Sequence, residues 1–171
     1  MKKLSLLLVM LCFACTSFAQ MTKDQIVSEW QRAKKYTQAY LDAMPEDGYA
    51  FKPTPGVRSF AGQMLHLANA NYFFLSTIVG KPVDMKNDLE KSVQPTKEAV
   101  TKAVNDSYDF AITTIQGMTD DQFKQEVSMG KMKSTKGMLL AKAFEHQTHH
   151  RGQTTPYLRL KGVTPPNEML F

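Results

Sequence analysis

Three of the four histidines of this 171-residue chain stand close together, in the stretch FEHQTHHRGQ at 144–153. Because an α-helix turns by about 100° per residue, His146 and His150 project about 40° apart on one face, whereas His149 lies about 60° to the other side of His146. Two imidazoles one helical turn apart are the usual helical half of a metal site, since both rings reach a common point without bending the backbone. This spacing also arises by chance in hydrophilic patches near helix ends, so the histidine pair at 146 and 150 leaves both interpretations open.

The surroundings of the histidine pair favour burial. Residues 135–161 (Thr135 to Lys161) are expected to form one helix, kinked at Pro156. On this helix Tyr157 and Leu160 lie within about 40° of His146, on the face that should meet the core. Lys142 falls at the edge of the same face and would have to carry its ammonium group out to water. Two buried imidazoles without partners would cost about 1–3 kcal/mol each, so the pair needs a partner.

The fourth histidine, His66, stands in a second predicted helix that runs from the N-cap Ser59 to about Val79. Gly62 and Ala70, one turn before and after it, are small and are expected to leave room for the ring to approach another helix. A lone histidine on such a helix is more often a hydrogen-bonded core residue than a ligand. A metal shared with the histidine pair would nevertheless satisfy all three rings.

Apolar periodicity predicts two further long helices. The first helix begins at a capping box formed by Thr22 and Gln25 and ends before Pro45, and the third covers residues 96–117. A second capping box, Thr119-Asp-Asp-Gln122, starts a short turn of helix. Between these elements, residues 82–95 are interpreted as a long crossover and residues 128–136 as a solvated loop.

Residues 1–19 are typical of a cleaved signal peptide, which leaves residues 20–171 as a single domain. Lys2 and Lys3 precede an apolar run that is too short to span a membrane, and Ser17-Phe18-Ala19 is a small-x-small cleavage site. The protein is therefore expected to be exported, either periplasmic or secreted. A lipid anchor on Cys15 is disfavoured, because Cys12 stands where a leucine-like residue is expected.

Cleavage would also change the charge and the available metal ligands. Loss of Lys2 and Lys3 lowers the formal net charge from +5 to +3, and a weakly basic exported protein is not expected to bind nucleic acid. The only two cysteines, Cys12 and Cys15, would leave with the signal peptide, so any metal must be held by nitrogen and oxygen atoms. Histidine ligation suits Zn²⁺, Ni²⁺, Fe²⁺ or Mn²⁺, of which Zn²⁺ or Ni²⁺ is favoured.

Several features occur together: the loop KPTPGVRSF before the second helix, His66 within that helix, and EHQTHHRGQ followed by YLRLKG and a Pro-Pro tail. In this combination, over residues 22–165, the chain resembles the DinB-like family of metal-binding four-helix bundles. The resemblance implies an all-α fold, a four-helix bundle with a long crossover between helices 2 and 3, and often a homodimer. It also implies that the metal ligands are His66, His146 and His150.

Three protein ligands would leave a coordination position for water or a substrate, as in catalytic sites. The resemblance then implies a metal-dependent hydrolase or thiol transferase that acts on a small molecule, and export favours water over a cytoplasmic thiol. The alternatives are a non-catalytic metal-binding or stress-related protein and a metal-free bundle with core histidines. Gln153, about 20° from His146, and His149 are candidate contacts to the ligands or substrate. Gln153 serves equally well as a packing residue, and His149 and Arg151 suit an interface or helix end. Catalytic residues stay unassigned, because no carboxylate lies beside the pair on its helix.

Overall fold

The computed structural model describes residues 21–81 and 88–171. The predicted signal peptide at 1–19 and residues 82–87 of the predicted crossover lie outside the described residues. These residues are mostly helical and include four helices of 18 to 21 residues. The elements in chain order are α1 (Lys23–Ala43), α2 (Phe60–Val79), α3 (Leu89–Ser92), α4 (Lys97–Gln116), α5 (Asp120–Lys124), β1 (Glu126–Met129), β2 (Met132–Thr135), α6 (Lys136–Gln153) and α7 (Thr155–Leu160), with a 3₁₀ turn at Glu46–Gly48.

Side-chain caps start the helices where the sequence predicts them. Thr22 and Gln25 form the capping box of α1, each side chain accepting a hydrogen bond from the backbone of the other. At the start of α2 the Ser59 hydroxyl accepts from the N–H of Gly62. The same helix ends at Gly80, whose φ of 71° is a left-handed conformation that glycine adopts without steric cost.

The four long helices share one apolar core. Helix α2 packs against both α4 and α6, and α1 packs against α4 and α6 from the other side. Trp30 of α1 is 1% exposed and makes edge-to-face contacts with Tyr108 of α4 and Phe144 of α6. The core therefore ties together helices that are far apart in sequence, including the two that carry the histidines.

The segment predicted as a solvated loop at 128–136 is mostly exposed, but the prediction that it has no regular structure is wrong. Strands β1 and β2 pair there in an antiparallel hairpin, with Gly130 at a φ of 61° in the turn. Val127 and Met129 alternate with exposed residues along β1 and pack against the helical core. Lys131 in the turn and Lys133 in β2 conceal this short alternation in the sequence. The fold is therefore mostly helical, as predicted, with an added hairpin that was not predicted.

The single kinked helix predicted at 135–161 is two helices, α6 and α7. Pro156 lies in the first turn of α7, where its missing N–H leaves no hydrogen bond to break, whereas in the middle of one helix it would remove a bond. Tyr157 turns into the core and is 5% exposed. Leu160 is 63% exposed, so the prediction that it shares the core-facing stripe of the histidine pair is wrong.

The described part of the crossover predicted at 82–95 contains the short helix α3. The carboxylate of Asp88 caps this helix by accepting from the N–H of Glu90. Asn69 of α2 donates to Asp88 over 2.8 Å and accepts from the first backbone N–H of α3 over 3.0 Å. These bonds fasten α3 to α2 and place Glu90 next to His66.

Among the helices in the described part of the chain, we find none with the length and apolar character needed to cross a membrane.

Candidate metal centre

His66 of α2 meets His146 and His150 of α6 where the two helices pack. One ring nitrogen of each histidine lies within 4.8 Å of the corresponding nitrogens of the other two. The ring centroids are 4.4 Å apart for His146 and His150, 4.5 Å for His66 and His150, and 5.3 Å for His66 and His146. Zinc–nitrogen bonds are about 2.0–2.1 Å long, so small side-chain rotations would bring all three nitrogens to one ion. The three histidines could hold a metal ion.

The room for His66 does not come from Gly62. A Cβ atom at Gly62 would meet Arg58 and Ser59 at 3.3 Å, so this glycine faces the start of its own helix. His66 does approach a second helix, as expected, but the prediction that Gly62 provides the room for it is wrong. The packing of α2 against α6 brings the rings together.

Burial keeps the histidine pair neutral. The pKa of His150, which is 8% exposed, is lowered to about 3, mainly by burial and to a lesser degree by the neighbouring imidazoles and Arg58. Burial is also the main cause that lowers the pKa of His146, followed by the charges of His66, His149 and Arg58. Neutral imidazole is the form that binds a metal ion, because its free nitrogen carries a lone pair.

A chain of hydrogen bonds determines which nitrogen of His150 is free. Tyr157 donates its hydroxyl hydrogen to the carbonyl oxygen of Arg58 over 2.8 Å, so the same hydroxyl accepts from the amide nitrogen of Gln63 at 3.4 Å. The amide oxygen of Gln63 then faces Nδ1 of His150, at 2.8 Å. An amide oxygen only accepts, so Nδ1 carries the hydrogen and Nε2 carries the lone pair.

His66 is oriented in the same way by a carboxylate. Its Nδ1 donates to Oε1 of Glu90 over 2.8 Å, which leaves Nε2 as the free nitrogen. The other carboxylate oxygen of Glu90 accepts from Nε of Arg58 over 2.7 Å. Arg58 thus takes part in both series of hydrogen bonds. Its side chain binds the Glu90 carboxylate that orients His66, and its carbonyl oxygen accepts from Tyr157 in the series that leads to His150.

His146 differs from the other two because its Nδ1 is buried and has no hydrogen-bonding partner among the described residues. A histidine that serves only as a core polar group is expected to be hydrogen bonded, since a buried unpaired polar atom costs about 1–3 kcal/mol. The nearest aromatic neighbour outside the triad, Phe74, lies 6.0 Å from the His146 ring and supplies no acceptor oxygen. This unsatisfied ring fits a site that receives a metal ion better than a metal-free core.

A pocket of about 610 Å³ opens beside His150. Its wall is formed by the loop before α2, by α3 and by the end of α6; the residues are Lys52, residues 55–58, Gln63, Glu90, His150 and Gln153. A small polar molecule in this pocket would reach the edge of the histidine triad. The sequence KPTPGVR, which supplies much of this wall, is therefore part of the site.

The remaining predicted contact residues occupy different positions. Gln153 lines the pocket, and its amide nitrogen lies 2.9 Å from Nε2 of His149, which is exposed. Arg151 lies in the last turn of α6, as predicted, but its side chain is buried at 5% exposed. Lys142 lies on the solvated face, where it pairs with Glu145 over 2.7 Å.

Glu90 and Gln63 are functional candidates that the sequence reasoning missed. Gln63 precedes His66 by three residues on an otherwise apolar stretch of α2, so the i, i+3 spacing of two polar residues was the available signal. Glu90 has no such signal, because it stands in a polar crossover with no periodicity. Its approach to His66 depends on the docking of α3 through Asn69.

Comparisons with known proteins agree with this architecture. The model of the DinB family matches residues 18–169. The uncharacterized protein YjoA of Bacillus subtilis is 22% identical over 144 residues, which cover 82% of this chain and 92% of YjoA. The crystal structure of a DinB-like protein from Bacillus cereus superposes with a TM-score of 0.75 at 20% identity, over 85% of this chain and 96% of that one. That of YjoA gives a TM-score of 0.69 at 23% identity, over 86% and 96%.

These structural similarities lie below 25% identity and support the fold, whereas the family model spans nearly the whole chain. With its mostly helical fold and with a histidine triad that could hold a metal ion, the protein belongs to the DinB family.

Proposed function

We propose that this DinB-family protein binds one divalent metal ion, Zn²⁺ or Ni²⁺ before Fe²⁺ or Mn²⁺, through His66, His146 and His150, and acts as a metal-dependent hydrolase on a small polar molecule. The observation that carries the proposal is that His150 belongs both to the triad and to the wall of an open pocket. Structural zinc sites are usually closed by four protein ligands, whereas three ligands leave a position that a pocket can serve.

A bound divalent ion would supply Lewis acidity toward water, or toward a thiol, at the open position. The protein residues would do the rest. Glu90 and Gln63 orient the ligand rings, while Lys52 and Gln153 stand in the pocket wall where a polar substrate group would lie. Water is favoured over a thiol as the nucleophile because the predicted signal peptide at 1–19 directs the protein out of the cytoplasm.

One observation favours a second candidate, a metal-binding protein without turnover. Among the described residues, Glu90 is the one acidic residue of the pocket wall, and both of its oxygens are occupied by His66 and Arg58. A carboxylate held in this way is a poor general base until one of those bonds opens. The second candidate predicts tight metal binding, large thermal stabilisation and no hydrolysis.

The test begins with metal content, measured by elemental mass spectrometry on mature protein made without a histidine tag. Wild type is expected to hold about one metal ion per chain, and His146→Ala is expected to lose it. His149→Ala is the matched control, because this neighbouring exposed histidine lies outside the triad. Equal metal content in wild type and His146→Ala would overturn the proposed site.

Turnover separates the two candidates. Metal-loaded wild type is assayed on a panel of small esters and other hydrolysable electrophiles, beside His66→Ala. The hydrolase proposal expects activity in wild type that the variant loses. Metal-loaded protein without activity on the panel would support the non-catalytic candidate.

Export and assembly belong to the same proposal. Cleavage after Ala19 is supported by the basic start, the apolar run and the small residues at the site. Intact mass measured on protein recovered from the periplasm or medium tests the cleavage. Light scattering on the same sample tests the homodimer.

A further inference from the structure

The short helix α3 brings a carboxylate to a site whose three candidate ligands are imidazoles. Glu90 is 24% exposed at its side chain and His66 28%, so their hydrogen bond is partly shielded from water. Three neutral imidazoles leave the charge of a divalent ion uncompensated, and a carboxylate on the far nitrogen of a ligand increases the basicity of that ligand. The bond between Glu90 and His66 therefore has a direct bearing on metal affinity.

Arg58 opposes this effect only in part. Its guanidinium pairs with the same carboxylate over 2.7 Å, but its side chain is 43% exposed. Solvent screens the positive charge of a side chain that is this exposed. Glu90, in contrast, is bonded directly to His66, so its charge acts on the ligand ring at short range. Arg58 also holds the carboxylate in place, because it binds the oxygen that faces away from the imidazole.

The position of Glu90 is built into the fold. The capping bond of Asp88 and the two bonds of Asn69 fasten α3 to α2, the helix that carries His66. The other ligand with a fixed tautomer, His150, has a neutral partner in Gln63. The triad thus has one charged and one neutral orienting group, which allows their effects to be compared.

We propose that Glu90 is a positioning residue that fixes the orientation of His66 and raises the affinity of the triad for a divalent cation. This inference rests on the proposed metal binding and adds to it a residue outside the ligand set. It also gives α3 a role, since this helix delivers the carboxylate.

The experiment measures Zn²⁺ affinity by competition with a chromophoric chelator and records the visible absorption of the Co²⁺-loaded protein. Glu90→Ala is expected to weaken Zn²⁺ binding by about 10- to 100-fold and to alter the Co²⁺ spectrum, because the His66 ring loses its partner. Glu90→Gln keeps an acceptor oxygen without the charge, so its loss of affinity should be smaller than that of Glu90→Ala.

Two controls define the comparison. Glu145→Gln removes a carboxylate that is adjacent to His146 in sequence but points to solvent beside Lys142, and it should bind Zn²⁺ like wild type. Asn69→Ala removes the two bonds that dock α3 and should shift affinity in the same direction as Glu90→Ala. The melting temperature of each variant in chelator shows whether the fold is intact.

The outcomes are distinguishable. Wild-type affinity and spectrum in a folded Glu90→Ala protein would overturn the role of Glu90 and leave the proposed metal site standing. Absence of Zn²⁺ and Co²⁺ binding in wild type would overturn both. A loss of affinity in Glu145→Gln equal to that in Glu90→Ala would show a general charge effect and also overturn the proposal.

Discussion

Helix α6 carries two pairs of largely buried polar residues at the same spacing, and the fold surrounds them in opposite ways. Gln147 and Arg151 face α1 and α4, where the Gln147 amide oxygen accepts from Tyr108 over 2.7 Å and from Arg151 over 2.9 Å. The Thr37 hydroxyl lies 2.8 Å from that of Tyr108, and the Arg151 guanidinium lies 4.3 Å from the centre of the Tyr36 ring. The histidine pair, one residue earlier in each turn, faces α2 and retains a buried nitrogen that has no partner in the described part of the chain.

The difference shows that burial of polar groups alone does not indicate a binding site. The cluster around Gln147 closes on itself through hydroxyl, amide and guanidinium groups, so it has little capacity left for a ligand. The histidine cluster has hydrogen bonds on the outer nitrogens of two rings and free nitrogens on the inside. When the hydrogen-bonding partners occupy only the outer nitrogens of a histidine cluster, the inner nitrogens are oriented toward a ligand from outside the protein, such as a metal ion.

The largest expected effect comes from adding metal. A divalent cation at roughly 1,000 times its dissociation constant should raise the free energy of unfolding of wild type by about 4 kcal/mol, because only the folded chain holds the triad together. Urea unfolding with and without Zn²⁺ measures the rise. His146→Ala should show almost none of it. A rise of the same size in that variant would place the metal elsewhere and remove the contrast between the two clusters.

Gln147→Leu should have the next largest effect on the free energy of unfolding, and this effect is expected in the protein without metal. Leucine fills most of the space but leaves the Arg151 guanidinium and the Tyr108 hydroxyl without their shared acceptor. Two buried donors that lose their shared acceptor, one of them charged, should lower the free energy of unfolding by about 3 kcal/mol. Urea unfolding in chelator measures the loss, and metal content should stay near one ion per chain. A loss below about 0.5 kcal/mol would contradict the closed character of this cluster.

His146→Leu is the matched substitution in the other pair, and its expected sign is opposite. In chelator the variant should be more stable than wild type by about 1 kcal/mol, because leucine replaces a ring with an unsatisfied buried nitrogen. Metal binding should be lost at the same time. The same unfolding assay decides the point: a destabilisation like that of Gln147→Leu would mean that His146 has a structural partner.

The smallest effect is expected for His149→Ala. This side chain is exposed, and its one hydrogen bond among the described residues is to Gln153. We expect a change in unfolding free energy within about 0.5 kcal/mol and unchanged metal content. Loss of the metal in this variant would mean that the metal site includes His149 as well as the three histidines of the triad.

Much of the fold could be predicted because the signals are local. The capping residues Thr22 and Ser59 place the starts of α1 and α2, and Gly80 places the end of α2. Each of these signals acts within a few residues of the helix end it determines, through a hydrogen bond or through glycine's access to a left-handed conformation. The hairpin at 126–135 was not predicted, because strands this short bury few residues and their alternation of apolar and polar residues is weak.

The part of the site that could be predicted is the part that follows from the geometry of a single helix. The 100° turn per residue puts His146 and His150 together and separates His149, whatever the rest of the fold does. The break between α6 and α7 was missed because Pro156 is compatible both with a kinked helix and with the first turn of a new one. In the structure Pro156 begins a new helix, in which Tyr157 is buried.

By itself the sequence determined helices α1, α2 and α4, their caps and the face shared by the histidine pair, since these follow from bonds and rotations within a few residues. The tertiary structure alone decided that Glu90 holds His66, that Gln63 holds His150, and that Arg151 closes a separate cluster. The contacts of Glu90 and Gln63 join elements distant along the chain, and the cluster around Arg151 forms where α6 packs against α1 and α4. Their formation depends on how apolar faces pack, and the packing of several helices at once leaves no signature in any short stretch of sequence.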